Sequence, residues 1–192
     1  MGATVLTPRQ NDDTLAVRLI AEGDQSAADI AGQLAEFISL ARSRLDLAVY
    51  DCRLDEEAAR PIRDALRDRL DHGVQIRLIY DDSAKKPQTH DQFESIGGDF
   101  AEGGTHERVD ELGLPDNLIR GVRGEGLMHE KFMTRDGEAV WTGSMNWTND
   151  SMTRMENTIV SLISPELTAF FERDFDQLWS TRQTLESGAF RT

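Results

Sequence analysis

Leu127-Met-His-Glu-Lys-Phe-Met-Thr134, Arg135-Asp-Gly-Glu138 and Ala139-Val-Trp-Thr-Gly-Ser-Met-Asn-Trp-Thr148 follow one another without a break, and their reading organises the rest of the chain. Residues 127–134 have strand composition. Asp136-Gly137 is a two-residue hairpin turn, because both residues tolerate positive φ, and 138–141 is the returning strand. Side chains two apart on a strand share a face, so an extended 127–134 projects His129 and Lys131 together, opposite Met128, Glu130 and Phe132. The small polar loop that follows offers the Ser144 hydroxyl and the Asn146 amide. Glu156 stands just before the next apolar run, 157–163.

Working outward, 15–20 reads as a strand, and 26–43 places Ile30, Leu34, Phe37, Ile38 and Ala41 at helical spacing. A second strand is expected at 45–50 and a third at 74–80. Between them lies a helix carrying Ile62, Leu66 and Leu70, capped by Asp55 or started by Pro61, and ended by His72-Gly73. The alternation predicts an α/β fold, with a mixed, mainly parallel β-sheet flanked by helices on both faces. From 81 to 117 the pattern dissolves, with short helical turns at most around Gln92 and Val109, as in a functional loop. A closing helix begins near Ser164-Pro165 and shows Leu167, Phe170, Phe171, Phe175, Leu178 and Trp179 on one broad face. We expect a disordered N-terminus over 1–14, one domain over 15–182, and a tail or linker over 183–192. The chain is either complete or a piece of a longer protein.

Acidic side chains number 35 against 21 basic ones, and lysine occurs only at 85, 86 and 131. That balance argues against a protein whose whole face grips nucleic acid, although a locally basic cleft is compatible with it. The bland reading of the charge is solubility. Cys52 is the single cysteine, so there is no intrachain disulfide and no thiolate metal cluster. No apolar run approaches the ~20 residues that span a bilayer, and no signal pattern opens the chain. A cytoplasmic protein without stable membrane insertion is the expectation.

Imidazole, ammonium, amide and hydroxyl converging on one spot suit a tetrahedral anion. Lys131, Asn146 and Ser144 would bind phosphate oxygens, while His129 attacks phosphorus or moves a proton. Glu156 would orient the imidazole as the acid of a catalytic triad does. Taken singly, each residue has a structural explanation. The combined string His129-x-Lys131-x-x-x-x-Asp136 followed by Gly143-Ser144-x-Asn146 resembles the signature of the phospholipase D superfamily, and Thr148, Glu156-Asn157 and the closing helix continue the likeness. The strong part covers about 127–180. The chain departs from that pattern in having Arg154-Met155-Glu156-Asn157 where the family more often shows Asn-x-Glu-Asn, in a loop one residue shorter, and in carrying one copy of the motif where many members carry two.

The resemblance implies a metal-independent phosphodiesterase that needs no cofactor and works through a phosphohistidine on His129. Lys131 and Asn146 then hold phosphoryl oxygens, with Ser144 assisting, while Asp136 and Gly143 are structural. One motif per chain implies a homodimer, since in-line displacement needs a nucleophile on one side and an acid on the other. Short single-motif members look most like bacterial nucleases, so DNA or RNA is the expected substrate, with Lys85, Lys86, Arg120 and Arg123 as a strand-binding groove. A phospholipid substrate is the alternative, as are one half of a two-motif enzyme and an inactive scaffold. A rival metal site would draw on Asp81, Asp82, His90, Asp91 and His106, but their loop spacing is loose for metal ligands.

Overall fold

The computed structural model describes residues 14–82, 105–124 and 126–184. Side-chain alternation along two central strands, β2 (Arg44–Val49) and β4 (Gln75–Asp81), sets the layers. Leu45, Leu47, Val49, Ile76, Leu78 and Tyr80 enter one core. That core is covered by α1 (Ala27–Ser39) and α2 (Glu56–Asp71), which pack on each other. Ala48 and Ile79 point the other way, joining Val122, Phe132, Phe175 and Leu178 under α5 (Pro165–Thr181). Helices therefore flank both faces.

The remaining strands are β1 (Thr14–Ile20), β3 (Cys52–Arg53), β5 (Ile119–Val122), β6 (Lys131–Arg135), β7 (Ala139–Gly143), β8 (Trp147–Thr148) and β9 (Asn157–Ile163). Among the described residues they form a seven-stranded sheet in the order β1-β9-β7-β6-β2-β4-β5, plus the small parallel pair β3-β8. The parallel share is smaller than the strand–helix alternation suggested. Within the seven-stranded sheet of the described residues, β2–β4 and β4–β5 run parallel, and the four pairings from β1 to β2 are antiparallel. The reason lies in the β6–β7 hairpin, which inserts beside β2 with no crossover helix. Two short helices complete the fold, α3 (Thr105–Asp110) and α4 (Asn149–Thr153). The first contains Val109, as expected, while Gln92 lies outside the described residues.

Several boundaries differ from expectation for local reasons. Asp55 caps α2 through the Ala58 N–H at 2.9 Å, so Pro61 lies inside that helix rather than starting it. β6 begins at Lys131, not 127, because β2 bends away after Val49 and leaves 127–130 no ladder partner. The Asp81 carboxylate instead accepts the Met128 N–H at 2.8 Å. The tail expected from 183 is still paired, with Gln183 bridging Arg123 and the Thr184 N–H donating to the Arg123 carbonyl. On the α5 side, the fully buried Asp46 carboxylate accepts from Arg44 Nε and Arg77 Nε, each at 2.8 Å. The Arg77 guanidinium lies 4.8 Å from the Phe175 ring centroid, so the buried charge is paired before the apolar layer closes over it.

Candidate active site

Every part of the signature except Asp136 reaches the same end of the sheet. β2, β4 and β7 finish there, at Val49, Asp81 and Gly143, while the antiparallel β6 and β9 start there, at Lys131 and Asn157. His129 lies just before β6 and is exposed; Lys131 is half-buried. They do come together, but not by strand alternation, since 129 is outside the ladder. Tyr50, the residue after β2, gathers them. Its ring centroid is 4.5 Å from that of His129 at an interplanar angle of 69°, and Lys131 Nζ lies 4.5 Å from the same Tyr50 centroid. Lys131 Nζ also donates to the His129 carbonyl at 3.0 Å. Burial, then the negative charges of Asp81 and Asp51, push the Tyr50 phenol up, so it stays neutral. The sequence reading passed over Tyr50; only the Val49–Lys131 register places it beside the motif.

The loop after β7 is set by a close approach. Gly143 has φ 151°, and a Cβ there would meet the Thr158 carbonyl oxygen at 2.0 Å. The same oxygen accepts the Ser144 N–H at 3.0 Å. The Ser144 hydroxyl accepts the Thr158 N–H at 3.1 Å and donates to Asn157 Oδ1 at 2.8 Å, and the buried Asn157 amide in turn donates to the Ser151 carbonyl at 2.8 Å. Ser144 thus holds the loop to β9 through both its N–H and its hydroxyl. Asn157, which in the sequence continues the family likeness at the start of a strand, is the anchor. Asn146 is half-buried in this loop, and its Oδ1 is buried and accepts no hydrogen bond from the described residues. Glu156 is exposed on the turn before β9. A small cleft beside Lys131 is bounded by Gly143, Met145, Trp147 and Ile159.

Asp136 is structural, and its reach is longer than the hairpin. Asp136 and Gly137 both take positive φ, 58° and 68°, as a type I′ turn requires. The carboxylate accepts the backbone N–H groups of Arg42, Ser43 and Arg44 at 2.8–3.1 Å, plus the Ser43 hydroxyl, tying the hairpin to the start of β2. Burial alone would raise this carboxyl, but the hydrogen bonds from Arg44, Ser43 and Arg42 outweigh it and hold it below the ordinary value of 3.8. A depressed folded-state pKa contributes stability that is fully present above 3.8 and lost as pH falls through the folded value. Asp136→Asn is therefore expected to destabilise by about 1–3 kcal/mol at neutral pH. The gap from wild type should narrow in urea titrations run progressively below pH 3.8. A gap of constant size across that range would refute the assignment.

Of the four basic residues expected to line a groove, Arg120 and Arg123 are described, and each is engaged by the fold. Arg120 stacks on Trp179 at 4.1 Å and donates to its carbonyl at 2.6 Å, neutralising the C-terminal end of α5. Arg123 is exposed and paired with Asp82 at 2.7 Å. Lys85 and Lys86 lie outside the described residues, as do His90 and Asp91 of the rival metal set. The described members of that set go separate ways: Asp81 to the Met128 N–H, Asp82 to Arg123, and His106 to the Tyr80 hydroxyl at 2.9 Å. Among the described residues no group of three or more His, Cys, Asp or Glu could hold a metal ion. No helix of these residues is long and apolar enough to cross a membrane. Cys52 is buried, which pushes its thiol up to about 12 and leaves it unreactive.

A family model described as cardiolipin synthase, PLD-like domain, matches residues 34–179. A mitochondrial cardiolipin hydrolase from Chlamydomonas reinhardtii is 28% identical over 144 residues, 75% of this chain and 55% of that protein. The chain thus spans about half the length of that curated relative. Among solved structures, NucT from Helicobacter pylori superposes with a TM-score of 0.64 at 17% identity, covering 88% of this chain and 98% of its own. Nuc from Salmonella typhimurium, described as a phospholipase D family member, gives 0.61 at 18%, covering 88% and 95%. At these identities the two structures speak for the fold.

Proposed function

Because the chain belongs to the PLD-like family of phosphodiesterases, we propose that it cleaves nucleic acid through a phosphohistidine on His129, in a site completed by a second copy of the chain. The observation that carries this reading is the joint placement of His129 and Lys131 on Tyr50 at the open end of the sheet, next to the Gly143-Ser144-x-Asn146 loop. An imidazole nitrogen attacks phosphorus while the P–O bond to the leaving group breaks. The leaving oxygen takes its proton from the same histidine of the second copy. Water then attacks the phosphohistidine, returning its proton to that second imidazole. Lys131 and Asn146 stabilise the charge on the non-bridging oxygens.

A single-motif architecture is supported by coextension with Nuc and NucT, whose own chains are covered almost end to end. That favours the likeness to short bacterial nucleases. Phospholipid is the second reading, favoured by the cardiolipin hydrolase relative. Against it, the exposed Leu167 and Phe170 on α5 have Glu166 and Asp174 beside them, with Arg173 stacked on Phe170 at 4.4 Å, and the chain as a whole carries a net charge of −14, which opposes seating on an anionic bilayer.

The test is incubation with labelled single-stranded DNA, duplex DNA, RNA, and vesicles of phosphatidylcholine or cardiolipin, each in EDTA. Cleavage of a nucleic acid is expected to survive chelation, because histidine, lysine and asparagine supply the nucleophile and the charge stabilisation. Hydrolysis confined to vesicles would transfer the proposal to lipid. Loss of all turnover in EDTA, with rescue by magnesium or zinc, would sink the mechanism.

A further inference from the structure

We infer that the Tyr50 ring is a positioning residue: an aromatic platform that fixes the His129 imidazole and the Lys131 ammonium relative to one another. This rests on the proposed role of His129 and Lys131 and adds what holds them. His129 precedes β6 and is exposed, so no strand ladder fixes its backbone, and Lys131 carries a long flexible stem. Tyr50 has the opposite character. It follows β2, a central strand hydrogen-bonded on both sides, and Asp51 behind it is buried and bound by Arg53 and by the Thr105 hydroxyl. The ring is therefore held by the central sheet while touching both side chains.

The contacts suit that task. A π-face is electron-rich and attracts an ammonium, and an imidazole ring at a steep angle to a phenol ring, centroids 4.5 Å apart, is a favourable aromatic pair. A carboxylate in the same place would neutralise Lys131 and repel the substrate.

Tyr50→Phe, Tyr50→Leu and Tyr50→Met in the full chain separate the ring from the hydroxyl and from simple bulk. Phenylalanine is expected to keep kcat within about threefold of wild type. Leucine and methionine are expected to lose about 10²-fold in kcat with KM changed little, the scale for misplacing a reacting group by an ångström. Melting curves identify any variant that fails to fold, and methionine, unbranched and adaptable, stands in if leucine does. The His129 Cε1–H proton resonance gives a readout without substrate: it should be preserved in Tyr50→Phe and moved in the two aliphatic variants. The inference is overturned if the aliphatic variants keep wild-type kcat, if phenylalanine is as slow as leucine, or if the loss is confined to KM. Absence of turnover in wild type would count against the proposed function alone. In that case an unmoved His129 resonance in the folded aliphatic variants still refutes the platform.

Discussion

His129→Ala is expected to lower kcat by about 10⁴-fold or more, with no change in folding. The size follows from the double duty of the residue. Each active site of the proposed dimer uses one copy as nucleophile and the other as acid, so the substitution removes the covalent route and the proton donor together, as loss of a catalytic nucleophile does elsewhere. The fold should not respond, because His129 is exposed and lies before β6 rather than in it; surface replacements of this kind stay within about 0.5 kcal/mol. Alkaline quenching during turnover of end-labelled substrate should trap a base-stable label on wild type and none on the mutant. Mixing wild type with an excess of His129→Ala, after time for exchange, extends the test to the shared site. Mixed dimers should lose steady-state turnover, so activity should fall below what dilution of wild-type chains explains. A mixture retaining the activity of every wild-type chain, or a fully active monomer by sedimentation, would refute the composite site.

Gly143→Ala is expected to be strongly destabilising. A β-carbon at this position would lie 2.0 Å from the Thr158 carbonyl oxygen, and that oxygen already accepts the Ser144 N–H. Both partners are backbone, so no side chain can swing aside. The backbone at φ 151° is also one that L side chains rarely adopt. Strain of this kind costs about 1–3 kcal/mol, and forcing extra volume into a filled site about 1–3 kcal/mol more. For a chain of this size the melting temperature should fall by on the order of 10 °C. The Ser144–Asn157 bond should break as the loop lifts from β9, so the mutant should also be slow at temperatures where it remains folded. A melting temperature within about 3 °C of wild type would show that the β7–β9 approach is looser than described.

Asp136 shows how far local sequence can carry a reading. Its turn is a two-residue hairpin because Asp and Gly accept positive φ whatever the tertiary context, and the strands on either side follow from composition. The same holds for the Asp55 cap on α2, the His72-Gly73 stop and the Ser164-Pro165 start of α5, all set within a few residues. The spacing of His129, Lys131, Gly143, Ser144 and Asn146 was likewise legible, together with the family it denotes, because a signature is a property of one continuous stretch. What that stretch does not contain is its neighbours. Tyr50 enters the site through the β2–β6 register, from residues far away in sequence. Asn157 takes Ser144 because β9 runs beside β7, and Arg120 turns to Trp179 because α5 crosses the end of β5. The antiparallel majority of the sheet was hidden for the same reason. A strand's hydrophobic pattern records which faces are buried, whereas the direction of its partner is decided when backbone N–H and C=O groups choose each other across the fold.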